Sequence, residues 1–171
     1  TLMDTAPDFV VTLNQLCDRH GIDRLNPETI RNKVSDGSKA LTKLCFPNII
    51  EPQSFEERRL ELLKIYEDEV GKAAVIFPEM IDLLKHLERH AIPWGIVTNK
   101  PRLYTELLLQ RTKAFASCKT LVCADDLQNA KPDPEGILKA CEELALAPQD
   151  CLYVGDHERD VIAGNRAGCK T

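Results

Sequence analysis

The chain has 171 residues, 43% of them hydrophobic, and a formal net charge of −5. That length bounds one ordinary domain, or a modest core with a small insert, with enough apolar material to bury an interior. The acidic balance and the lack of a dense Lys/Arg run exclude a general nucleic-acid or anionic-membrane binder, and no apolar run approaches the roughly 18 residues of a spanning helix. The expectation is a globular, cytoplasmic protein with no nucleic-acid and no membrane partner. The seven cysteines (Cys17, Cys45, Cys118, Cys123, Cys141, Cys151, Cys169) are scattered without a Cys-x-x-Cys spacing. They read as small buried hydrophobes in a reducing compartment. The chain starts on Thr1 and stops at Thr171, just after Ala167-Gly168-Cys169-Lys170, where a strand is expected; both ends read as cut.

In chain order, Asp4 to His20 predicts a helix with Phe9, Val10, Leu13 and Leu16 on one face and Gly21 as its stop. Asn26-Pro27 opens a short helix through Val34, Ser35-Asp36-Gly37-Ser38 makes a turn, and a second short helix runs to about Phe46. A third covers about Phe55 to Val70, with Leu60, Leu63, Tyr66 or Glu67, and Val70 along one face. Residues 8–74 thus read as an all-helical unit, and residues 1–7 with 75–171 as something different. From Val75 the pattern alternates. Pro78 starts a helix with Met80, Leu83, Leu84 and Leu87 inward; His86 and His90 sit four apart on its solvated face, a metal spacing with no third ligand nearby. Ile92–Val97 reads as a strand, Pro101 to about Lys113 as a helix, and Thr120–Ala124 as a strand. A helix at Pro134–Leu146, a strand at Cys151–Val154 and a helix at about Arg159–Ala167 complete the series. Strands alternating with helices of this length specify an α/β fold with a doubly wound, parallel-sheet, Rossmann-like core.

Ligands of such sheets bind beyond the carboxyl ends of the strands. Here those ends deliver Thr98-Asn99-Lys100, Asp125-Asp126 followed by Ala130-Lys131-Pro132, and Gly155-Asp156 with Asp160 four residues on. The spacing of Asp156 and Asp160, in a turn entering a helix, aims two carboxylates at one spot, which suits a hard cation such as Mg²⁺. Taken alone, Asp156 is equally readable as a helix cap, Thr98-Asn99 as a plain turn, and Lys131 as a surface lysine before a capped helix. Together they match the needs of phosphoryl transfer, where a cation and hydrogen-bond donors neutralise charge on the phosphate oxygens. No Gly-x-x-x-x-Gly-Lys-Ser/Thr, Gly-x-Gly-x-x-Gly or Gly-x-Ser-x-Gly motif is present, and no side chain is placed to attack phosphorus.

Four ordered segments carry a resemblance. Thr1-Leu2-Met3-Asp4-Thr5-Ala6 resembles the tail of the Asp-x-Asp-Gly-Thr-Leu-x-Asp-Thr-Ala signature of haloacid dehalogenase-like phosphatases. Trp94 to Lys100 resembles their second motif, Lys131-Pro132-Asp133-Pro134 their third, and Gly155 to Asp160 their fourth. The helical segment with Val34-Ser35-Asp36-Gly37 is similar to the cap, inserted after the first strand, of the phosphoglycolate phosphatase-like branch. That branch also holds sugar-phosphate phosphatases. The resemblance implies a small phosphorylated metabolite as substrate, Mg²⁺ as cofactor, and attack by an aspartate, with a second aspartate protonating the leaving oxygen. Both would lie just before Thr1, leaving the chain itself without nucleophile or acid. It implies that Thr98 and Asn99 hold the phosphate and that Lys131 balances charge. Asp156 would bind the metal with Asp160 behind it, and Ser35, Asp36, Gly37 and Ser38 would form the cap loop that meets substrate.

Three other readings stay open. A phosphomutase shares the same core and passes the phosphoryl group to a sugar. A phospho-accepting receiver domain also carries Thr and Lys-Pro at strand ends, but its acidic cluster precedes the threonine and the helical insert has no place in it. A non-catalytic binding protein results if no Asp-x-Asp-Gly precedes Thr1.

Overall fold

A computed structural model describes residues 1–112 and 115–171. The chain divides into two compact units, Met3–Ile76 and Thr1–Leu2 with Phe77–Thr171.

The first unit opens on β1 (Met3–Asp4) and α1 (Ala6–Arg19). α1 starts two residues later than the sequence pattern indicated, because the Asp4 carboxylate accepts from the Ala6 N–H at 3.1 Å and holds the preceding backbone extended. It ends as expected: Gly21 has φ +62°, and the Ile22 N–H returns to the Cys17 carbonyl at 3.0 Å. α2 (Pro27–Arg31) is capped by the Asn26 side chain, which accepts from Glu28 N–H at 2.8 Å. It is shorter than expected, and Val34–Asp36 forms a separate 3-10 turn. The predicted Ser35–Ser38 turn is therefore divided, since Gly37 and Ser38 are already the first residues of α3 (Gly37–Cys45). α4 (Pro52–Glu69) begins ahead of Phe55 because Glu51 caps it, accepting from the Gln53 N–H at 2.9 Å. β2 (Val75–Ile76) then returns antiparallel to β1, pairing Met3 with Ile76 and Asp4 with Val75.

Leu13, Leu16, Cys17, Ile30, Leu41, Leu62, Ile65, Tyr66 and Val70 form the interior of this unit. On α4, Tyr66 is buried as expected, as is Val70 just past its end, but the rest of the seam is Leu62 and Ile65, while Leu60 is exposed and Leu63 half-buried. Phe9 of α1 stacks on Tyr66 at 4.1 Å between ring centroids. The unit is closed by Asp8, which is fully buried on α1. Its carboxylate accepts from the N–H groups of Gly71 (2.7 Å), Ala73 (2.8 Å) and Ala74 (2.9 Å). A buried carboxylate with three backbone donors is well satisfied and also sits in the first turn of a helix, where negative charge is favoured.

The second unit contains α5 (Met80–Arg89), β3 (Gly95–Val97), α6 (Arg102–Thr112), β4 (Thr120–Val122), α7 (Glu135–Glu143) and α8 (Glu158–Ala167). The expected end of α6 at Lys113 lies outside the described residues. β3 and β4 pair in parallel, with Gly95, Ile96 and Val97 opposite Thr120, Leu121 and Val122. A further parallel contact joins Leu152 to Lys170, with Tyr153 N–H donating to the Lys170 carbonyl at 2.7 Å and Lys170 N–H to the Cys151 carbonyl at 3.0 Å.

The strands are shorter than the apolar runs. Ile92 is spent on ending α5, donating to the Leu87 carbonyl at 2.9 Å, and Pro93 has no N–H to offer a ladder. Cys123 N–H donates to Asp126 at 2.7 Å, which turns the chain out of β4. α7 stops before Leu146 because Ala145 takes φ +54°. Ile137, Cys141, Ala163, Ala167 and Cys169 pack together beneath Val97, Cys151 and Tyr153. All seven cysteines are free thiols, five of them buried. His86 and His90 are stacked at 4.1 Å on α5, and no group of three metal-binding side chains occurs among the described residues. No helix among those residues is long and apolar enough to cross a membrane.

Asp8→Ala leaves three backbone donors facing an apolar interior, so it is expected to destabilise the helical unit by about 3 kcal/mol, with Asp8→Asn intermediate. Urea unfolding reads this directly; a loss below about 1 kcal/mol for the alanine variant means the carboxylate is not the closure.

Candidate active site

β3 and β4 end side by side, and the polar residues gather just past them. Thr98 extends β3 by one bond, its N–H donating to the Val122 carbonyl at 2.9 Å. Its hydroxyl accepts from the Lys100 N–H at 3.1 Å, so the threonine turns the chain at the strand tip. Asn99 does something the sequence did not show. Its side-chain oxygen accepts from the Lys131 N–H at 3.0 Å, and its side-chain nitrogen donates to the Lys131 carbonyl at 2.9 Å. The amide imitates a strand partner and fastens the backbone of Lys131, 32 residues away in sequence, to the tip of β3. The Asn99 side chain is thereby committed to Lys131.

With its backbone fixed, the Lys131 side chain runs inward and is only 9% exposed. Its ammonium has three donors and three oxygen partners: the Val97 carbonyl at 2.8 Å, the Tyr153 hydroxyl at 2.8 Å and Asp160 at 2.7 Å. The reading of Lys131 as a surface lysine is thus wrong; a buried charge is tolerated here because it is paired and fully hydrogen-bonded. Burial pushes the Tyr153 phenol above its ordinary range, and the Asp160 carboxylate adds to the shift, so the hydroxyl keeps its proton at neutral pH.

The two carboxylates of the fourth motif have different partners. Asp160 sits in the first turn of α8, where one oxygen meets Lys131 and the other accepts from the His157 N–H at 3.1 Å. The ion pair engages one of its oxygens and the helix cap the other. Asp156 is 72% exposed, and one of its oxygens accepts from the Thr1 hydroxyl at 2.5 Å. The Thr1 hydroxyl, opposed by partial burial, holds the Asp156 carboxyl below the usual carboxylate range. Gly155 makes the sharp approach possible. A Cβ there would lie 2.2 Å from the Asp160 Cβ, so any larger residue forces the two halves of the motif apart.

Asp156 therefore offers an ionised, accessible oxygen, while the Asp160 carboxylate balances Lys131. A hard cation that takes one protein carboxylate and fills its remaining positions with water and phosphate oxygens fits this donor set, whereas a closed cage of protein ligands does not. Ser35, Asp36, Gly37 and Ser38 lie in the helical unit. There Asp36 pairs with Lys33 at 2.9 Å, the Ser38 hydroxyl accepts from Arg59 at 3.3 Å, and Gly37 has φ +85°. The feature most clearly missed by sequence reading is Tyr153; its signal was a lone hydroxyl within the apolar run Cys151–Val154.

A buried cation near parallel strand tips, a hydroxyl turn at the end of β3 and an exposed carboxylate are the group types that phosphoryl transfer requires. Comparison with known proteins identifies the family. The family model for haloacid dehalogenase-like hydrolases matches residues 1–171. An N-acetylmuramic acid 6-phosphate phosphatase of Pseudomonas putida is 36% identical over 171 residues, covering 100% of this chain and 77% of that protein. A phosphoglycolate phosphatase of Xanthomonas campestris pv. campestris is 35% identical over 168 residues, covering 98% and 76%. Among solved structures, a predicted phosphoglycolate phosphatase from Haemophilus somnus superposes with a TM-score of 0.86 at 19% identity, covering 99% of this chain and 78% of that one. At that identity it shows the fold alone: a doubly wound α/β core with a helical insert. The chain belongs to the haloacid dehalogenase-like hydrolase family and is a phosphatase of its phosphoglycolate phosphatase-like branch.

Proposed function

We propose that the chain forms the body of a Mg²⁺-dependent phosphomonoester hydrolase acting on a small phosphorylated metabolite through an aspartyl-phosphate. The observation that carries this reading is the Lys131 ammonium, buried and held by oxygens from Val97, Tyr153 and Asp160 at the strand tips. Such a fixed charge is spent on an anion whose charge rises during reaction, and relatives sharing 36% and 35% of the sequence are named as phosphatases.

In this mechanism Thr98 and the backbone at Asn99 receive the phosphate oxygens, with the Thr98 hydroxyl as a donor. Lys131 offsets the charge shared by phosphate and nucleophile. Asp156 holds Mg²⁺, which when bound draws charge from the phosphoryl oxygens. The nucleophile and the acid are two aspartates in the residues preceding Thr1. The first forms a bond to phosphorus as the ester oxygen leaves, the second gives that oxygen its proton, and water then cleaves the acyl phosphate. The helical unit serves as a cap that excludes water and selects the organic part of the substrate, with Ser35, Asp36, Gly37 and Ser38 as its contact loop. Hydrolysis is preferred to transfer onto a second sugar because both of those relatives are named as phosphatases.

The direct test is phosphate release by the full-length protein from N-acetylmuramic acid 6-phosphate, phosphoglycolate and other sugar phosphates, with and without Mg²⁺. Release that needs Mg²⁺ is expected for one of them, and none across the panel removes the hydrolase reading.

Lys131→Ala is expected to lower kcat by about a thousandfold. It also strands the Asp160 carboxylate, so a stability loss of about 3–5 kcal/mol accompanies it. Lys131→Arg keeps the charge and separates the two effects; near-normal turnover in both variants contradicts the assigned role. Asp156→Asn is expected to raise the Mg²⁺ concentration for half-activity at least about tenfold, with little change in melting temperature. An unchanged metal titration takes Asp156 out of the site.

A further inference from the structure

All three N–H groups of Lys131 are spent inside the protein, on Val97, Tyr153 and Asp160. The ammonium therefore acts on a bound phosphoryl group through its field, and what matters is where the charge stands. Two of its three anchors have other duties: the Val97 carbonyl is at the end of β3, and Asp160 caps α8. The third has none assigned. The Tyr153 ring packs against the cluster of Ile137, Cys141, Ala163, Ala167 and Cys169, and Gly164 leaves it room, since a Cβ there would lie 3.3 Å from the Tyr153 Cβ and Cδ1. Its hydroxyl also reaches the Val97 carbonyl at 3.4 Å, so one phenol spans two of the groups around the ammonium. The Lys131 Nζ lies 5.5 Å from the centre of the same ring.

We infer that Tyr153 is a positioning residue for phosphoryl transfer: its hydroxyl fixes the Lys131 ammonium against the tip of β3, and catalysis depends on that placement. The inference rests on the phosphatase mechanism proposed above. The size of the effect follows from Coulomb's law. Moving a unit charge from about 4 Å to about 5 Å from its partner, at an effective dielectric constant of about 20, changes a rate roughly fourfold.

Tyr153→Phe in the full-length protein keeps the ring and its packing and removes only the hydroxyl. We expect kcat to fall about four- to tenfold with KM within about twofold, and the melting temperature to stay within a few degrees. In a Lys131→Arg background, where no three-donor ammonium exists, the same change is expected to alter kcat by less than about twofold. An equal proportional loss in both backgrounds, or no loss in either, overturns the assignment, because a merely structural tyrosine acts regardless of the residue at position 131. A second readout is independent of turnover. In nitrogen-15 NMR of the free enzyme, an ammonium held by three acceptors gives a slowly exchanging signal, and Tyr153→Phe must broaden or abolish it. If the wild-type enzyme releases phosphate from no ester, the hydrolase reading fails while this signal still decides whether Tyr153 holds Lys131; a signal identical in both proteins refutes the positioning role.

Discussion

One buried positive charge organises the α/β unit. The Lys131 ammonium is removed from water, which is costly for a charge of its size unless oxygens replace the lost hydration. Three do, and they come from three different places: the end of β3, the segment paired with Lys170, and the first turn of α8. Each must be in position for the lysine to be tolerated, so the charge is a condition on the fold as much as a tool of the site. A buried ion pair of this kind contributes little net stability compared with apolar packing. Under the proposed mechanism, its place at the strand tips serves a bound anion.

Around that charge, burial divides the labour. Asp160, buried beside Lys131, is committed to holding it and to capping α8, while Asp156, four residues earlier and 72% exposed, keeps an oxygen facing solvent. Gly155 permits the arrangement by letting the backbone pass against the Asp160 side chain. Two acids of the same chemistry thus take different roles because one enters a helix cap and the other precedes it.

Much of this was legible in the sequence, and the parts that were not have a common cause. The alternation of helix and strand from α5 to α7 and the stop at Gly21 are local signals that the structure shows where the pattern put them, while the expected strand Cys151–Val154 is reduced to a single bridge at Leu152. Residue types at strand ends named Thr98, Lys131 and Asp156. Partner choice was not legible. Nothing local says that the Asn99 amide clamps a backbone 32 positions away, or that Asp160 turns toward a lysine. The α4 seam was legible only in part: Tyr66 and Val70 are buried as the pattern indicated, whereas Leu62 and Ile65 are buried in place of Leu60. Strand lengths were overestimated because apolar runs reveal burial, whereas ladder hydrogen bonds were ended by Pro93 and by the Asp126 carboxylate.

The ends of the helical unit meet. β1 pairs with β2, and just outside them the Phe77 N–H donates to the Leu2 carbonyl at 3.2 Å. For the α/β unit, the whole excursion between Leu2 and Phe77 is equivalent to a tight hairpin. The entropy of closing a loop grows only slowly with its length, by about 0.6 kcal/mol per doubling, and a loop whose ends are already fastened adds still less. The insert can therefore be lengthened, shortened or exchanged for another with similarly joined ends at little expense to the framework that carries it.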